Sequence, residues 1–176
     1  MDLGINDGVL FRILEDRHSA SYLNYLSHKD IRGIELACLN EDYLCTLEKI
    51  HIELYSEFEW FSLHMPCFFN YDTDRQSRDI LRRITNLQNK FNFIDATVHF
   101  DKVSNWDVFM EFPSIPISIE NMDKRAASGH SVEEITSVLN NYPFGLTLDL
   151  QHCYELDHTM QLAYTLIGID VSLVAI

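Results

Sequence analysis

The chain has 176 residues, 47% of them hydrophobic and 23% charged, which suits one globular domain, residues 1–176, with a real core. Its formal charge of −14 argues against a general nucleic-acid binder, because phosphate contact needs a basic face, although metal ions in an enzyme's site would offset that charge locally. No apolar run approaches the ~20 residues of a membrane span, Met1-Asp2-Leu3-Gly4 is not laid out as a secretion signal, and the dispersed Cys38, Cys45, Cys67 and Cys153 read as reduced thiols in a cytoplasm.

A first strand is expected over Asp2 to Asn6, with Leu3 and Ile5 on one face and Gly4 and Asn6 on the other. A helix around Ser21 to His28 follows, then a second strand, Ile31 to Ala37, in which Gly33 and Glu35 share the parity opposite Ile34 and Leu36. Asn40 is placed to cap a helix that carries Leu44, Leu47, Ile50 and Leu54 at helical spacing. The third strand, Trp60 to Met65, meets Pro66 and an aromatic loop, Cys67 to Tyr71. The clearest helical pattern lies between Thr73 and Lys90, with Ile80, Ile84, Leu87 and Phe91 as its apolar stripe.

The fourth strand, Ala96 to Phe100, gives way to Asp101-Lys102 and a short helical segment from Ser104 to Glu111. The fifth lies within Ile115 to Asp123, where Ile117 and Ile119 share one face and Ser118 and Glu120 the other. A polar loop, Lys124 to His130, leads to Ser131-Val132-Glu133-Glu134, a capping box that starts another helix. Gly145 to Leu150 is the sixth strand; Asp157 is placed to cap a helix ending near Gly168, and Val171 to Ile176 is a seventh strand.

Strand and helix alternate throughout, which implies a parallel α/β sheet, and polar groups turned inward at the strand ends suggest a (β/α)8 barrel of the TIM type. A closed barrel of this type has eight strands and about 250 residues. With about seven strands, this chain is expected to form an incomplete barrel lacking its C-terminal part, whose exposed edges favour association into a homo-oligomer.

A shared pattern runs through the strands. Ser62-Leu63-His64, Thr97-Val98-His99, Ser118-Ile119-Glu120 and Thr147-Leu148-Asp149 each place a hydroxyl residue two positions before an imidazole or carboxylate. Strand parity puts both polar residues on one face, so His64, His99, Glu120 and Asp149 are offered at corresponding points near the C-terminal strand ends. A buried, unpaired carboxylate costs several kcal/mol or more, so it is normally paired, protonated or bound to a metal.

Gly33-Ile34-Glu35-Leu36, Leu63-His64-Met65-Pro66, Val98-His99, Ile119-Glu120-Asn121 and Asp149-Leu150-Gln151-His152, taken in order, resemble the xylose isomerase-like barrel superfamily of sugar isomerases, epimerases and endonuclease IV-type enzymes. In endonuclease IV-like members the matches to His64, His99 and Glu120 bind one metal. The match to Glu120 bridges to a second, shared with the match to Asp149, and the match to His152 holds a third. In the sugar isomerases the matches to Glu120 and Asp149 hold a single divalent metal, and that to His152 contacts substrate. The family draws further ligands from strands seven and eight, usually a histidine and a glutamate, which do not occur before Ile176.

The resemblance therefore implies His64, His99, Glu120 and Asp149 as metal ligands, Glu120 and His152 as catalytic residues, and Glu35, Trp106, Asn121 and His152 as substrate contacts. The cofactor would be a divalent metal, zinc or manganese, with magnesium or cobalt as alternatives. The leading expectation is an enzyme that isomerises or epimerises a small sugar or polyol, the metal acidifying a C–H beside a carbonyl. Metal-dependent phosphodiester hydrolysis, favoured by the paired His64 and His99, is the alternative, and an inactive barrel fragment or partner-binding module is a third. Blander readings pair Glu120 with Lys102 or Lys124, Asp149 with His152, and Glu35 with a structural ion partner; Trp106, Phe68, Phe69 and Tyr71 would be core, lid or pocket wall.

Overall fold

The computed structural model describes residues 3–7, 31–169 and 173–175; the helix expected over Ser21 to His28 lies outside them. Among the described residues seven strands form one sheet in chain order: β1 (Gly4–Asn6), β2 (Gly33–Ala37), β3 (Trp60–His64), β4 (Asp95–His99), β5 (Ile117–Glu120), β6 (Gly145–Leu148) and β7 (Leu173–Ala175). Every neighbouring pair is parallel. Parallel neighbours need a crossover connection of one hand, so strictly sequential strands curl the sheet toward a barrel.

Among the described residues, helices supply crossovers from β2 onward. In α1 (Glu41–Lys49) the Asn40 side chain accepts from the Tyr43 N–H, as its sequence position suggests. The helix is shorter than expected: Ile50 turns to extended backbone, and Leu54, in a 3-10 turn, is exposed. The long α2 (Arg75–Phe91) starts at an Asp74 cap and buries Ile80, Ile84, Leu87 and Phe91. After the short α3 (Asp107–Met110), α4 (Val132–Asn141) opens with both halves of the capping box in place, Ser131 and Glu134.

The region after β6 departs from the sequence reading. The strand ends at Leu148, because the Asp149 side chain accepts from the His152 N–H and starts α5 (Leu150–Leu156). Asp157 closes α5 and accepts from Thr159, so it does not cap the next helix; α6 (Gln161–Ile167) follows Met160, whose φ of 60° turns the chain. Gly168 ends α6 in right-handed conformation.

Outward, Ile34, Leu36, Leu63, Val98, Ile119 and Leu146 form one core with the helices. Inward, the alternate residues Glu35, Ser62, Asp95, Thr97, Ser118, Glu120 and Thr147 are polar and also buried. At the N-terminal end of this inner face the Trp60 indole lies over Gly4 and Gly33. A Cβ on Gly33 would come within 2.0 Å of the ring, so only glycine admits this plug. Among the described residues no helix is long and apolar enough to cross a membrane.

Candidate metal centre

His64, His99 and Glu120 are the last residues of β3, β4 and β5, on the inner face. Parallel pairing sets His99 directly beside Glu120. Asp149 follows β6, and His152 lies one helical turn further on, so the cap that starts α5 also brings its imidazole back to the strand ends.

The four strand-end positions expected from the sequence do converge. Nε2 of His64 and Nε2 of His99 are 2.9 Å apart. Oε2 of Glu120 is 3.2 Å from His99 Nε2 and 3.7 Å from His64 Nε2. On its other side, Oε1 of Glu120 is 3.7 Å from His152 Nδ1, which is 3.6 Å from Asp149 Oδ2. Two groups of three, His64–His99–Glu120 and Glu120–Asp149–His152, thus share one carboxylate.

Ring orientation follows from the outer contacts. His64 Nδ1 lies 3.2 Å from the Met65 carbonyl and His152 Nδ1 lies 2.8 Å from the Asn121 carbonyl. A carbonyl can only accept, so both rings carry their proton on Nδ1 and leave Nε2 with a lone pair. His64 therefore presents an acceptor to His99 and Glu120, as a metal-ligating imidazole does.

Burial first, then the neighbouring charges of Asp149 and Glu35, raises the proton affinity of Glu120 well above the carboxylate range. Burial likewise holds His64 neutral, and burial with the nearby His64 and His152 lowers His99 to about 3. Oε2 of Glu120 is buried and accepts no hydrogen bond. Two imidazoles and the buried Oε2 of Glu120, which accepts no hydrogen bond, are aimed at one point. That set fits a divalent cation, and two histidines with one carboxylate leave a zinc-type ion an open position. Lys102 pairs with Asp101 at 3.4 Å, so the lysine partner considered for Glu120 is replaced by imidazoles.

Glu35 reaches the interior from β2 and is 6% exposed. The Asn6 amide donates to its Oε2; burial outweighs that bond and, helped by Asp95, Asp7 and Asp149, lifts the carboxyl to about 7. Asn121, expected to touch substrate, is instead wholly buried. It donates to the Asp149 carbonyl at 3.0 Å and to Cys153 Sγ at 3.2 Å, and accepts from the Asp149 N–H at 2.7 Å, so it braces β5 against the start of α5. Trp106 packs against Phe100, Phe109 and Phe144. Phe109 and Phe144 belong to the core that strands and helices share, and Phe144 precedes β6, at the end of the strand away from Asp149. A cavity of about 310 Å³ at that same end, lined by Ile94, Phe109, Ile115 and Phe144 among others, is remote from the strand-end imidazoles.

The sequence reading overlooks Asp95. It shares the parity of Thr97 and His99, a three-residue signal on one strand, and it is 4% exposed.

No protein-family profile matches the sequence, and no curated protein does. Among solved structures, a D-tagatose 3-epimerase-like protein superposes with a TM-score of 0.69 at 16% identity, over 99% of this chain and 75% of that one. The fold is that of an incomplete (β/α)8 barrel. A second structure, described as AsfvAP:AG, aligns at a TM-score of 0.44 and 14% identity over 76% of this chain and 52% of that one, too loosely to bear on the fold. At 16% identity the first likeness speaks to architecture, and the site rests on the distances above.

Proposed function

We propose that this chain is a divalent-metal-dependent enzyme of the xylose isomerase-like superfamily, an isomerase or epimerase of a small sugar or polyol. One observation carries the metal: the buried, partnerless Oε2 of Glu120, 3.2 and 3.7 Å from two imidazole nitrogens. The fold shared with a D-tagatose 3-epimerase-like protein supports the substrate class.

His64, His99 and Glu120 would hold the ion, zinc or manganese, and Asp149 would extend the ligand set around the same carboxylate. An ion there supplies Lewis-acid polarisation of a substrate carbonyl, which acidifies the adjoining C–H. The chain's own residues do the rest. Glu35 is a buried carboxyl group raised to about 7, so it can keep or yield a proton near neutral pH. His152, fixed through Nδ1 by the Asn121 carbonyl, turns Nε2 into an acceptor for a substrate hydroxyl. His64, His99, Asp149 and His152 are each between 13% and 20% exposed at the side chain, enough for a small molecule to reach them.

The test is elemental analysis of the purified protein beside His64→Ala and Glu120→Ala. Stoichiometric zinc or manganese, lost in both variants with far-UV circular dichroism unchanged, is expected; metal indifferent to both changes overturns the site. Solvent deuterium entering D-tagatose or D-fructose then checks the reaction. The Nε2–Nε2 pair at 2.9 Å favours a second reading, metal-assisted phosphodiester hydrolysis. Cleavage of an abasic-site duplex without sugar exchange would select it.

A further inference from the structure

We propose that Asp95 is a positioning residue for the metal centre, acting through a hydroxyl brace that sets how closely β4 and β6 approach around Glu120. The proposal rests on the reading of His64, His99 and Glu120 as ligands, and its evidence lies one layer below them.

Thr97, Ser118 and Thr147 stand two residues before His99, Glu120 and Asp149, facing the same interior. All three hydroxyls meet at Asp95. Ser118 Oγ donates to Asp95 Oδ1, and Thr97 Oγ1 donates to Oδ2 at 3.0 Å. Thr147 Oγ1 is 2.9 Å from Thr97 Oγ1 and 3.5 Å from the same Oδ2. Each hydroxyl has one proton to give, and a carboxylate can only accept. With Asp95 ionised the protons run one way, from Thr147 to Thr97 to Asp95 and from Ser118 to Asp95, and every donor is used. Asp95, Thr97, Ser118 and Thr147 are at most 4% exposed, so these bonds lie in a buried layer where each counts for more than in water.

The geometry goes beyond what the backbone ladder provides. Main-chain hydrogen bonds hold β4 to β5 and β5 to β6, but β4 and β6 are not neighbours in the sheet. The Thr97–Thr147 contact crosses the interior between them, and Asp95 ties it to Ser118 on the strand between. The three strands so joined deliver His99, Glu120 and, just past its end, Asp149. A brace of fixed length two residues below the ligands governs the curvature that brings the groups on β4 and β6 to either side of Glu120. It also accounts for three of the four hydroxyl-then-ligand pairs along the sequence, those of β4, β5 and β6.

The test uses Co²⁺ as the probe, titrated into the metal-free protein and followed by visible absorption. Thr97→Val preserves shape and removes only the hydroxyl, Thr97→Ser restores it, Asp95→Asn removes one acceptor, and Glu120→Gln is the ligand control. Thr97→Val and Asp95→Asn are expected to weaken Co²⁺ binding about 10- to 100-fold and to change the visible band, with Thr97→Ser close to wild type. If Asp95→Asn does not fold, the Thr97→Val and Thr97→Ser pair decides. Wild-type affinity and spectrum in a folded Thr97→Val overturn the brace while leaving the ligand set intact. Equal failure of wild type and Glu120→Gln to bind Co²⁺ overturns the ligand set, and the brace as a positioning device with it.

Discussion

Two adjacent layers of the barrel interior are made of the same materials and end in opposite states. The lower, Asp95 with Thr97, Ser118 and Thr147, is buried, polar and satisfied: two hydroxyl protons go to one carboxylate and the third to Thr97. The upper, two residues along the same strands, is buried and polar but unmatched, since Glu120 Oε2 accepts nothing and two imidazoles turn toward each other. Burial of polar groups does not by itself mark a site. The matching of donors to acceptors does: the lower layer satisfies its carboxylate, and the upper leaves Glu120 Oε2 without a hydrogen bond, as a cation site does.

The comparison is most easily broken by changing one carboxylate in the upper layer and one hydroxyl in the lower. In chelator at pH 8, Glu120→Gln is expected to stabilise the protein by about 1–3 kcal/mol, because it removes a buried carboxylate oxygen that has no partner. Ser118→Ala should destabilise it by about 1–3 kcal/mol, by taking a donor from Asp95. Urea unfolding reads both, and equal signs would erase the distinction between the layers.

Glu35 sharpens the comparison through pH. Its carboxyl is raised from 4.5 to about 7, so the folded chain keeps a proton that the unfolded chain releases above its ordinary pKa. The stability linked to Glu35 is complete below pH 4.5 and is lost as pH rises through 7. Glu35→Gln in chelator should therefore match wild type near pH 4 and exceed it at pH 8 by about 1–3 kcal/mol, with about 3 kcal/mol as the ceiling. A pH-independent difference would place Glu35 outside the coupled carboxylates. The smallest effect serves as a control: Ser131→Ala, in a capping box remote from both layers, should cost about 1 kcal/mol in urea unfolding and leave metal content unchanged.

Much of this was legible in the chain. Period-two alternation marks β3, β4 and β5, the apolar stripe of α2 and the capping box of α4 are local signals, and strand parity is enough to put His64, His99 and Glu120 on one face at one height. Local signals also misled where one residue type serves two purposes. Asp149 reads as the end of a strand and is an N-cap; Asp157 reads as an N-cap and closes the preceding helix. Asn121 is a substrate contact only by the resemblance, and its amide holds two chain segments together.

What the sequence determined by itself was the order of the strands and the identity of the side chains on their inner face, because both follow from periodicities that each segment carries alone. Only the tertiary structure decided which of those side chains meet. The contact of Thr97 with Thr147, the gathering of hydroxyls on Asp95 and the choice of imidazoles over lysine as neighbours of Glu120 depend on the curvature of the whole sheet. Curvature arises from how seven strands and their helices pack together, and no single segment encodes it.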